Sequence, residues 1–306
     1  MNIKKPIRFM IAVAVSVTCI AAGGSVNAST KAVDSSNSYY AYSTESVMQM
    51  GVIQIAGKEY SLPLTMEQLS ADGWERSALA KKRAGELYVI SCGEVQLSLS
   101  EDQNGQIEKI VDLYPSSGTL VIPANVNGGA GSSEADPESR GIKAGISEDE
   151  LISCLDQLPL PWESAHLKNG TTRYKVLVPL GRPVKTASDE ETKDTSSSYP
   201  ACEYAVTVSD RQVRAIGIRM IPDPGPDGWS DEVLGYRVAV YYENKAGERP
   251  PMFRIEEQKD GRVLIRLFEE LEDHIATWAL YRSDRTGKGY DVAFDPNEKK
   301  MIDFMK

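Results

Sequence analysis

The feature that most constrains the fold of this chain is an order of local signals that occurs twice. Thr65-Met66-Glu67-Gln68 and Ser147-Glu148-Asp149-Glu150 both fit the capping box, in which the first side chain accepts from the backbone N–H three residues later. The Gln or Glu side chain in turn accepts from the backbone N–H of the first residue. Each box predicts a short helix that ends near a Gly or Pro and a tryptophan, in Asp72-Gly73-Trp74 and Leu160-Pro161-Trp162.

Predicted strands follow each helix. Their apolar residues alternate, which is the pattern of antiparallel strands that bury one face of a sheet. A short helix is the natural cover for that face, so the predicted fold class is α+β, with two similar modules of a short helix and an antiparallel sheet. The strands are Leu87 to Ile90, Val95 to Leu99 and Ile107 to Tyr114 in the first module, and Arg173 to Val178, Tyr204 to Val208 and Val213 to Met220 in the second.

Residues 233–306 predict a β-rich C-terminal unit with little helix. Apolar runs alternate there with turn signals such as Lys259-Asp260-Gly261 and Thr286-Gly287-Lys288-Gly289, which connect neighbouring strands. The five predicted strands are Leu234 to Tyr242, Met252 to Glu257, Val263 to Phe268, His274 to Tyr281 and Tyr290 to Phe294.

Breaks in composition mark the domain boundaries. Residues 125–140 are rich in Gly, Ser and acids, residues 187–198 predict a protruding polar loop, and residues 221–231 contain three prolines and two glycines and predict a stiff connector. The predicted division is a signal peptide over 1–28, a flexible spacer over 29–46, a first module over 47–124, a linker over 125–140, a second module over 141–222 and the C-terminal unit over 233–306.

The N-terminus predicts export. Basic residues within 4–8 precede an apolar run over 9–22, and Val26-Asn27-Ala28 has the small-x-small pattern that signal peptidase reads. We therefore expect a mature chain that begins at Ser29 and is secreted, extracellular or associated with the cell surface. Cys19 leaves a second route open, in which a lipidated cysteine holds the chain on the membrane.

The net charge excludes two classes of partner. The sequence has 34 basic and 44 acidic side chains and a net charge of −10. A nucleic-acid binder carries a basic footprint, and docking on an anionic membrane needs a polybasic segment. The expected partner is therefore a protein or a cell-wall component, with no nucleic acid, and with membrane contact only if Cys19 is lipidated.

No metal or cofactor site is predicted. Without Cys19, three cysteines remain at Cys92, Cys154 and Cys202, and no two have the C-x-x-C spacing of a zinc site. A Cys154–Cys202 disulfide and three small buried thiols both fit this count. Asp223 to Asp231 place acids at calcium-loop positions, but the bidentate acid is absent, which favours a rigid acidic linker over weak calcium binding.

The recognisable catalytic motifs fail at particular positions. Thr286-Gly287-Lys288-Gly289 contains the Gly-Lys pair of a phosphate loop, but Gly289 stands at the Ser/Thr position, which favours a β-turn. Gly228-Trp229-Ser230-Asp231-Glu232 nearly matches a nucleophile elbow, but Glu232 replaces the last Gly. His274 follows two acids and begins a predicted strand, so a surface histidine is favoured over a general base.

The repeated modules carry a family resemblance. A capped short helix, a Gly-Trp or Pro-Trp stop and an antiparallel meander ending in a V-x-x-I-x-I strand resemble the modules of the beta-lactamase inhibitor protein and of the SmpA/OmlA-type outer-membrane assembly lipoproteins. The likeness covers residues 50–115 and 141–221. It implies an exported, non-catalytic protein that presents a sheet to a partner, and it carries over no binding residue. The stretch from Trp278 to Gly289 is similar to the ending of many clostridial-type exported proteins of unknown function.

These observations predict a non-catalytic binding or interaction protein at the bacterial cell surface. The alternative is an extracellular hydrolase that uses paired carboxylates, because 44 acids offer many pairs whose separation only the tertiary structure gives. The candidate binding residues are the aromatics Tyr60, Trp74 and Trp162, which are core side chains by default and interface anchors if exposed. A cleft with carboxylates of shifted pKa would favour the enzyme, and a flat, aromatic-bearing sheet face would favour the binder.

Overall fold

The computed structural model describes residues 40–77, 85–114, 120–124, 141–167, 169–181, 199–258 and 260–305. The predicted signal peptide, most of the spacer, the linker and the polar loop lie outside the described residues. Within them the fold is mostly β, with antiparallel sheets and four helices, which agrees with the coarse α+β prediction. None of these helices is both long enough and apolar enough to cross a membrane.

The described elements fall into three sheets and four helices. The helices are α1 (Thr44–Gln49), α2 (Met66–Ala71), α3 (Glu148–Gln157) and α4 (Asp231–Ala246). The strands before α3 are β1 (Ala41–Ser43), β2 (Val52–Ile55), β3 (Lys58–Ser61), β4 (Glu75–Arg76), β5 (Tyr88–Cys92), β6 (Val95–Glu101), β7 (Ile107–Leu113), β8 (Leu120–Pro123) and β9 (Gly141–Ile142). The strands after it are β10 (Trp162–His166), β11 (Thr172–Pro179), β12 (Ala201–Ser209), β13 (Gln212–Ile221), β14 (Met252–Glu257), β15 (Val263–Glu270), β16 (Ile275–Ser283), β17 (Lys288–Asp291) and β18 (Ile302–Asp303).

The largest sheet has eight strands and spans both predicted modules. Its order is β10-β11-β12-β13-β7-β6-β5-β4, and β7 pairs antiparallel with β13 at its centre, where Ile110 lies opposite Ile218. Alternate residues of β12, such as Tyr204 and Val206, are buried. One face of the sheet therefore packs on the core, and we call it the inner face and the opposite one the outer face.

The helices and a small sheet cover the inner face. Leu69 of α2 and Leu155 of α3 belong to the same buried cluster as the inner-face residues of the eight-stranded sheet. The four-stranded sheet, in the order β3-β2-β8-β9, adds Ile53 and Ile122 to that cluster. The core therefore lies entirely on one side of the eight-stranded sheet.

Both predicted helix starts are confirmed, each with a complete capping box. Thr65 Oγ1 accepts from the backbone N–H of Gln68 at 3.3 Å, and Gln68 Oε1 accepts from the backbone N–H of Thr65 at 2.8 Å. Ser147 and Glu150 make the equivalent pair at 3.2 and 2.8 Å. These bonds satisfy backbone N–H groups that the first helical turn leaves unpaired.

The six-stranded sheet combines the C-terminal unit with a strand from the other end of the chain. Its order is β1-β14-β15-β16-β17-β18, and Ala41 of β1 pairs with Arg254 of β14. The predicted spacer over 29–46 is therefore wrong at its C-terminal end, where β1 and the start of α1 are found. A three-residue edge strand is too short for an alternating pattern, so only its pairing with β14 defines it.

The predicted strand from Leu234 to Tyr242 is also wrong, because these residues belong to α4. The helix begins after Ser230, whose Oγ accepts from the backbone N–H of Val233, and ends at Gly247 with a positive φ of 79°. The residues from Val233 to Val240 are all buried, since α4 packs against both β11 and β14. A helix that is buried all round has no 3.6-residue apolar period, so its sequence resembles a buried strand.

A buried arginine of α4 forms hydrogen bonds to two other segments of the chain. The Nε of Arg237 donates to the carbonyl oxygen of Phe304, and its Nη1 donates to that of Leu180, both at 3.1 Å. Charged donors make stronger hydrogen bonds than neutral ones, and a buried guanidinium without them would be costly. Arg237 thus connects the end of β11 and the C-terminal residues to the central helix.

The predicted Cys154–Cys202 disulfide is wrong, because Cys92, Cys154 and Cys202 all carry free thiols. Cys202 is fully buried on the inner face, whereas Cys154 lies on the half-exposed side of α3. Burial raises the pKa of both thiols. The alternative reading, in which the cysteines act as small apolar side chains, describes Cys202.

Candidate binding face

Cross-strand register defines which residues share the outer face of the eight-stranded sheet. Residues directly opposite each other in an antiparallel ladder lie on the same face. One row of opposite residues runs through seven strands, from β10 to β5, and six spacings of ~4.8 Å make it ~29 Å long. This middle row consists of Glu163, Lys175, Ala205, Gly217, Val111, Ser98 and Val89.

Two shorter rows flank the middle row and complete the outer face as we define it. The first flanking row is Ala165, Arg173, Thr207, Ala215 and Leu113, and the second is Leu177, Glu203, Arg219, Lys109 and Ser100. All residues of the three rows are half-buried or exposed except Ser100, which is 2% exposed.

The centre of the outer face has an uncovered backbone. A Cβ atom placed on Gly217 would have only two neighbours within 4 Å, the backbone carbonyl oxygens of Ala205 and Ile110, both at 3.8 Å. The residues around Gly217 in the rows are also small, with Ala205 beside it and Ala215 two positions earlier. Among the described residues, no side-chain atom therefore lies within 4 Å of this position.

Apolar side chains are exposed on the β5–β7 side of the outer face. Val89 is 40% exposed and Leu113 is 50% exposed, and Leu87, just before β5, is exposed as well. Contiguous exposed apolar groups on a soluble domain mark contact surfaces more often than isolated ones do.

The outer face is basic although the chain is acidic. Its four cations are Lys109, Arg173, Lys175 and Arg219, and its three carboxylates belong to Glu75, at the β4 edge, Glu163 and Glu203. Glu203 is engaged on its own sheet, because Lys175 Nζ lies 2.8 Å from Oε2 and Arg219 Nη2 lies 3.6 Å from Oε1.

The three aromatic residues predicted from the sequence lie elsewhere. Tyr60 and Trp74 are core side chains, 7% and 3% exposed, so they do not meet the exposure condition for interface anchors. Trp162 is half-buried at the β10 edge, its ring 5.7 Å from that of Tyr174, and its Nε1 donates to Asp156 Oδ1 at 3.2 Å. A binding role for Trp162 stays a prediction.

Tyr60 belongs to a local hydrogen-bonded group. Burial, together with the 2.8 Å bond that its hydroxyl donates to Asp72, raises the pKa of Tyr60 to about 12. Hydrogen bonds from Lys58 and Tyr60 hold the pKa of Asp72 below its usual range. This group joins β3 to the end of α2, which is a structural role.

A cleft of 1520 Å³ lies between α2, α4 and the ends of β6 and β11. Glu101 in this cleft accepts from Tyr88 Oη at 2.6 Å and from Arg76 Nη2 at 2.5 Å. On the α4 side, Glu243 accepts from Nε and Nη2 of Arg249, both at 2.9 Å. Each of these two carboxylates is thus held in an ion pair with an arginine.

The sequence motifs have structural explanations. Asp284 Oδ1 accepts from the backbone N–H groups of Thr286 and Lys288, which confirms the β-turn between β16 and β17. Ser230 is the N-cap of α4 and not a nucleophile at a strand-to-helix elbow. His274 is exposed just before β16, and its Nδ1 lies 2.6 Å from Asp273 Oδ1.

Asp223 to Asp231, whose acids stand at calcium-loop positions in the sequence, form no cluster of ligands. Asp231 is ion-paired with Arg285, and Asp223 and Asp227 are exposed. In the parts of the chain that the structure describes, no group of three His, Cys, Asp or Glu side chains is arranged to hold a metal ion.

The outer face was not among the sites predicted from the sequence. Its signal was present in the strand pattern, because Ala205, Ala215 and Gly217 occupy positions where a solvent-facing strand usually carries polar side chains.

Comparisons of the chain with protein-family models, with curated proteins and with solved structures found no match.

Proposed function

We propose that the chain is an exported, non-catalytic binding protein of the bacterial cell surface, which presents the outer face to a protein or cell-wall partner. The observation that carries the proposal is the uncovered backbone around Gly217, where only two carbonyl oxygens lie within 4 Å of a virtual Cβ. Small residues at the middle of a sheet leave a flat area that another molecule can contact closely.

The size of the outer face supports the same proposal. We propose that β4–β7 and β10–β13, each preceded by a capped helix, are equivalent modules that meet at the β7–β13 pair. Joining two such halves gives the ~29 Å width of the middle row. A standard interface buries about 800 Å² per partner, and a single four-stranded module offers much less flat area than that.

Export is the part of the proposal that rests on the N-terminal sequence. Basic residues, an apolar run and Val26-Asn27-Ala28 follow the layout of a signal peptide. A hydrolase with paired carboxylates has less support, because two of the four glutamates that line the cleft, Glu101 and Glu243, are each ion-paired with an arginine.

A pull-down with three forms of the purified chain tests the proposal on culture supernatant and envelope fractions. In Gly217→Leu the added side chain rises from the middle of the outer face. Thr277→Leu is the matched control, because Thr277 is exposed on β16 of the six-stranded sheet. We expect partners that the wild type and Thr277→Leu capture and that Gly217→Leu loses.

Two results would contradict the proposal. Equal capture by all three forms would show that the outer face is not the contact surface. Turnover of peptides, glycans or esters that disappears when Glu101 or Glu243 is changed to Gln, with folding intact, would favour the hydrolase.

A further inference from the structure

We infer that the partner of the outer face is a protein whose surface places acidic groups around an apolar protrusion. This inference rests on the proposed function, since it names the chemistry of the partner for the same surface. It follows from three features of the outer face: its charge, the position of its unpaired cations and the small apolar residues between them.

The charge of the outer face opposes that of the whole chain. Four cations and three carboxylates lie on this face, whereas the chain as a whole has ten more acidic than basic residues. Interfaces form between patches of complementary potential, which guide the encounter and reject partners of like charge. A basic patch on an acidic chain therefore fits an acidic partner.

Two of the four cations have no ion-pair partner among the described residues. Lys175 and Arg219 share Glu203, whereas Arg173 on β11 and Lys109 on β7 are not paired. They lie in opposite flanking rows, three strands apart, so the middle row passes between them. Three spacings of ~4.8 Å separate their strands by ~14 Å.

The residues of the outer face between these two cations are apolar and have small side chains. Ala205, Gly217 and Val111 follow each other there along the middle row, and the virtual Cβ of Gly217 meets no side chain within 4 Å. A polymer of phosphate groups would leave these residues in contact with water. A protein fits both features, because it can insert an apolar side chain at Gly217 and place carboxylates opposite Arg173 and Lys109.

Three defined polyanions test this chemistry directly. The first probe is a random Glu–Tyr copolymer, which carries carboxylates and apolar rings. The other two are polyglutamate and inorganic polyphosphate. We expect the order of affinity to be Glu–Tyr copolymer, polyglutamate, polyphosphate, with affinity for the copolymer falling as salt rises, because screening shortens the range of surface charges.

The decisive variant reverses the two unpaired cations, Lys109→Glu with Arg173→Glu. Its matched control, Lys288→Glu with Lys299→Glu, changes the net charge equally at exposed sites of the C-terminal unit. We expect the first pair to weaken copolymer binding by about tenfold or more, and the control to weaken it by less than about twofold. Lys109→Gln with Arg173→Gln should give an intermediate loss and guards against misfolding of the reversed variant.

The outcomes separate the two proposals. If Gly217→Leu abolishes copolymer binding and the charge reversal does not change it, the outer face is the binding surface but its partner is not acidic. If polyphosphate binds more tightly than the copolymer, the partner is an anionic polymer and not an acidic protein. If no probe binds, or if neither variant changes the binding, the inference is wrong.

Discussion

The outer faces of the two large sheets differ although both sheets are antiparallel and pack one face on the core. On the six-stranded sheet one outward row consists of Ala41, Arg254, Arg266 and Leu280, and Arg254 lies 5.7 Å from the ring centre of Phe268 on the same face. Glu256 forms an ion pair with Arg254 at 3.1 Å. On the eight-stranded sheet the corresponding middle positions are Ala205 and Gly217.

The comparison shows that side-chain size and pairing decide whether a sheet face can receive a partner. Large side chains that stack and form ion pairs with each other cover their own strands and satisfy their own charges. Small side chains leave the backbone of the strands accessible to another molecule. They also provide no ion-pair partners for the cations nearby. The fold class is the same in both sheets, so it does not by itself predict a binding surface.

The largest expected effect contrasts one apolar residue from each outer face. Phe268 is almost fully buried, so Phe268→Ala should lower the free energy of unfolding by about 3–5 kcal/mol, the usual cost of removing a buried aromatic ring. Leu113 is half-exposed, and Leu113→Ala should change it by less than about 0.5 kcal/mol. Urea unfolding followed by circular dichroism measures both. Equal losses would mean that the two faces are covered alike.

The next effect contrasts two strand glycines. A Cβ on Gly289 of β17 would collide with the backbone carbonyl of Arg282, so Gly289→Ala should destabilise the chain by about 1–3 kcal/mol. Gly217→Ala meets no obstacle and should stabilise it by up to about 1 kcal/mol, because alanine loses less backbone entropy on folding. Thermal unfolding of both variants gives the signs. Destabilisation by Gly217→Ala would show that the outer face is covered.

A third prediction concerns the inner face of the eight-stranded sheet, which is closed in both halves. Thr65→Ala and Ser147→Ala should each cost about 0.5–2 kcal/mol, because each removes the N-cap of a helix on that face. Thr207→Ala on the outer face is the control and should change stability by less than about 0.5 kcal/mol. Chemical denaturation of the single and double variants measures the costs. If one of the two N-cap variants were destabilised and the other were not, the two halves would not be equivalent.

The smallest expected effect is a pH dependence in the C-terminal unit. Hydrogen bonds from Arg262 and Arg282 hold the pKa of Glu298 below its usual value of 4.5. The stability that this carboxylate contributes is therefore fully present above about pH 4.5 and is lost as the pH falls through its lowered pKa. Glu298→Gln should be less stable than the wild type at pH 7, and the difference should shrink towards pH 3.

Denaturation at several pH values tests this prediction. Glu163→Gln is the matched control, because Glu163 lies on the outer face and has no ion-pair partner among the described residues. A difference between the wild type and Glu298→Gln that stays constant from pH 7 to pH 3 would show that the two arginines do not stabilise the charged form.

Local signals in the sequence determined the two helices with capping boxes, α2 and α3, and the longer strands. The capping boxes could be predicted because their hydrogen bonds join residues three positions apart, Thr65 with Gln68 and Ser147 with Glu150. The alternation of β11 and β12 likewise depends only on neighbours within one strand. Both kinds of pattern are independent of the rest of the chain.

The tertiary structure alone decided what lies next to what. Residues 233–240 of α4 have the sequence of a buried strand, and they are buried all round because α4 packs against both β11 and β14. β1 is a strand only through β14, more than two hundred residues later in the chain. The outer face exists because β7 pairs with β13, which places Val111 beside Gly217. Contacts between distant segments are set by the packing of the whole core, and no local pattern of residues encodes them.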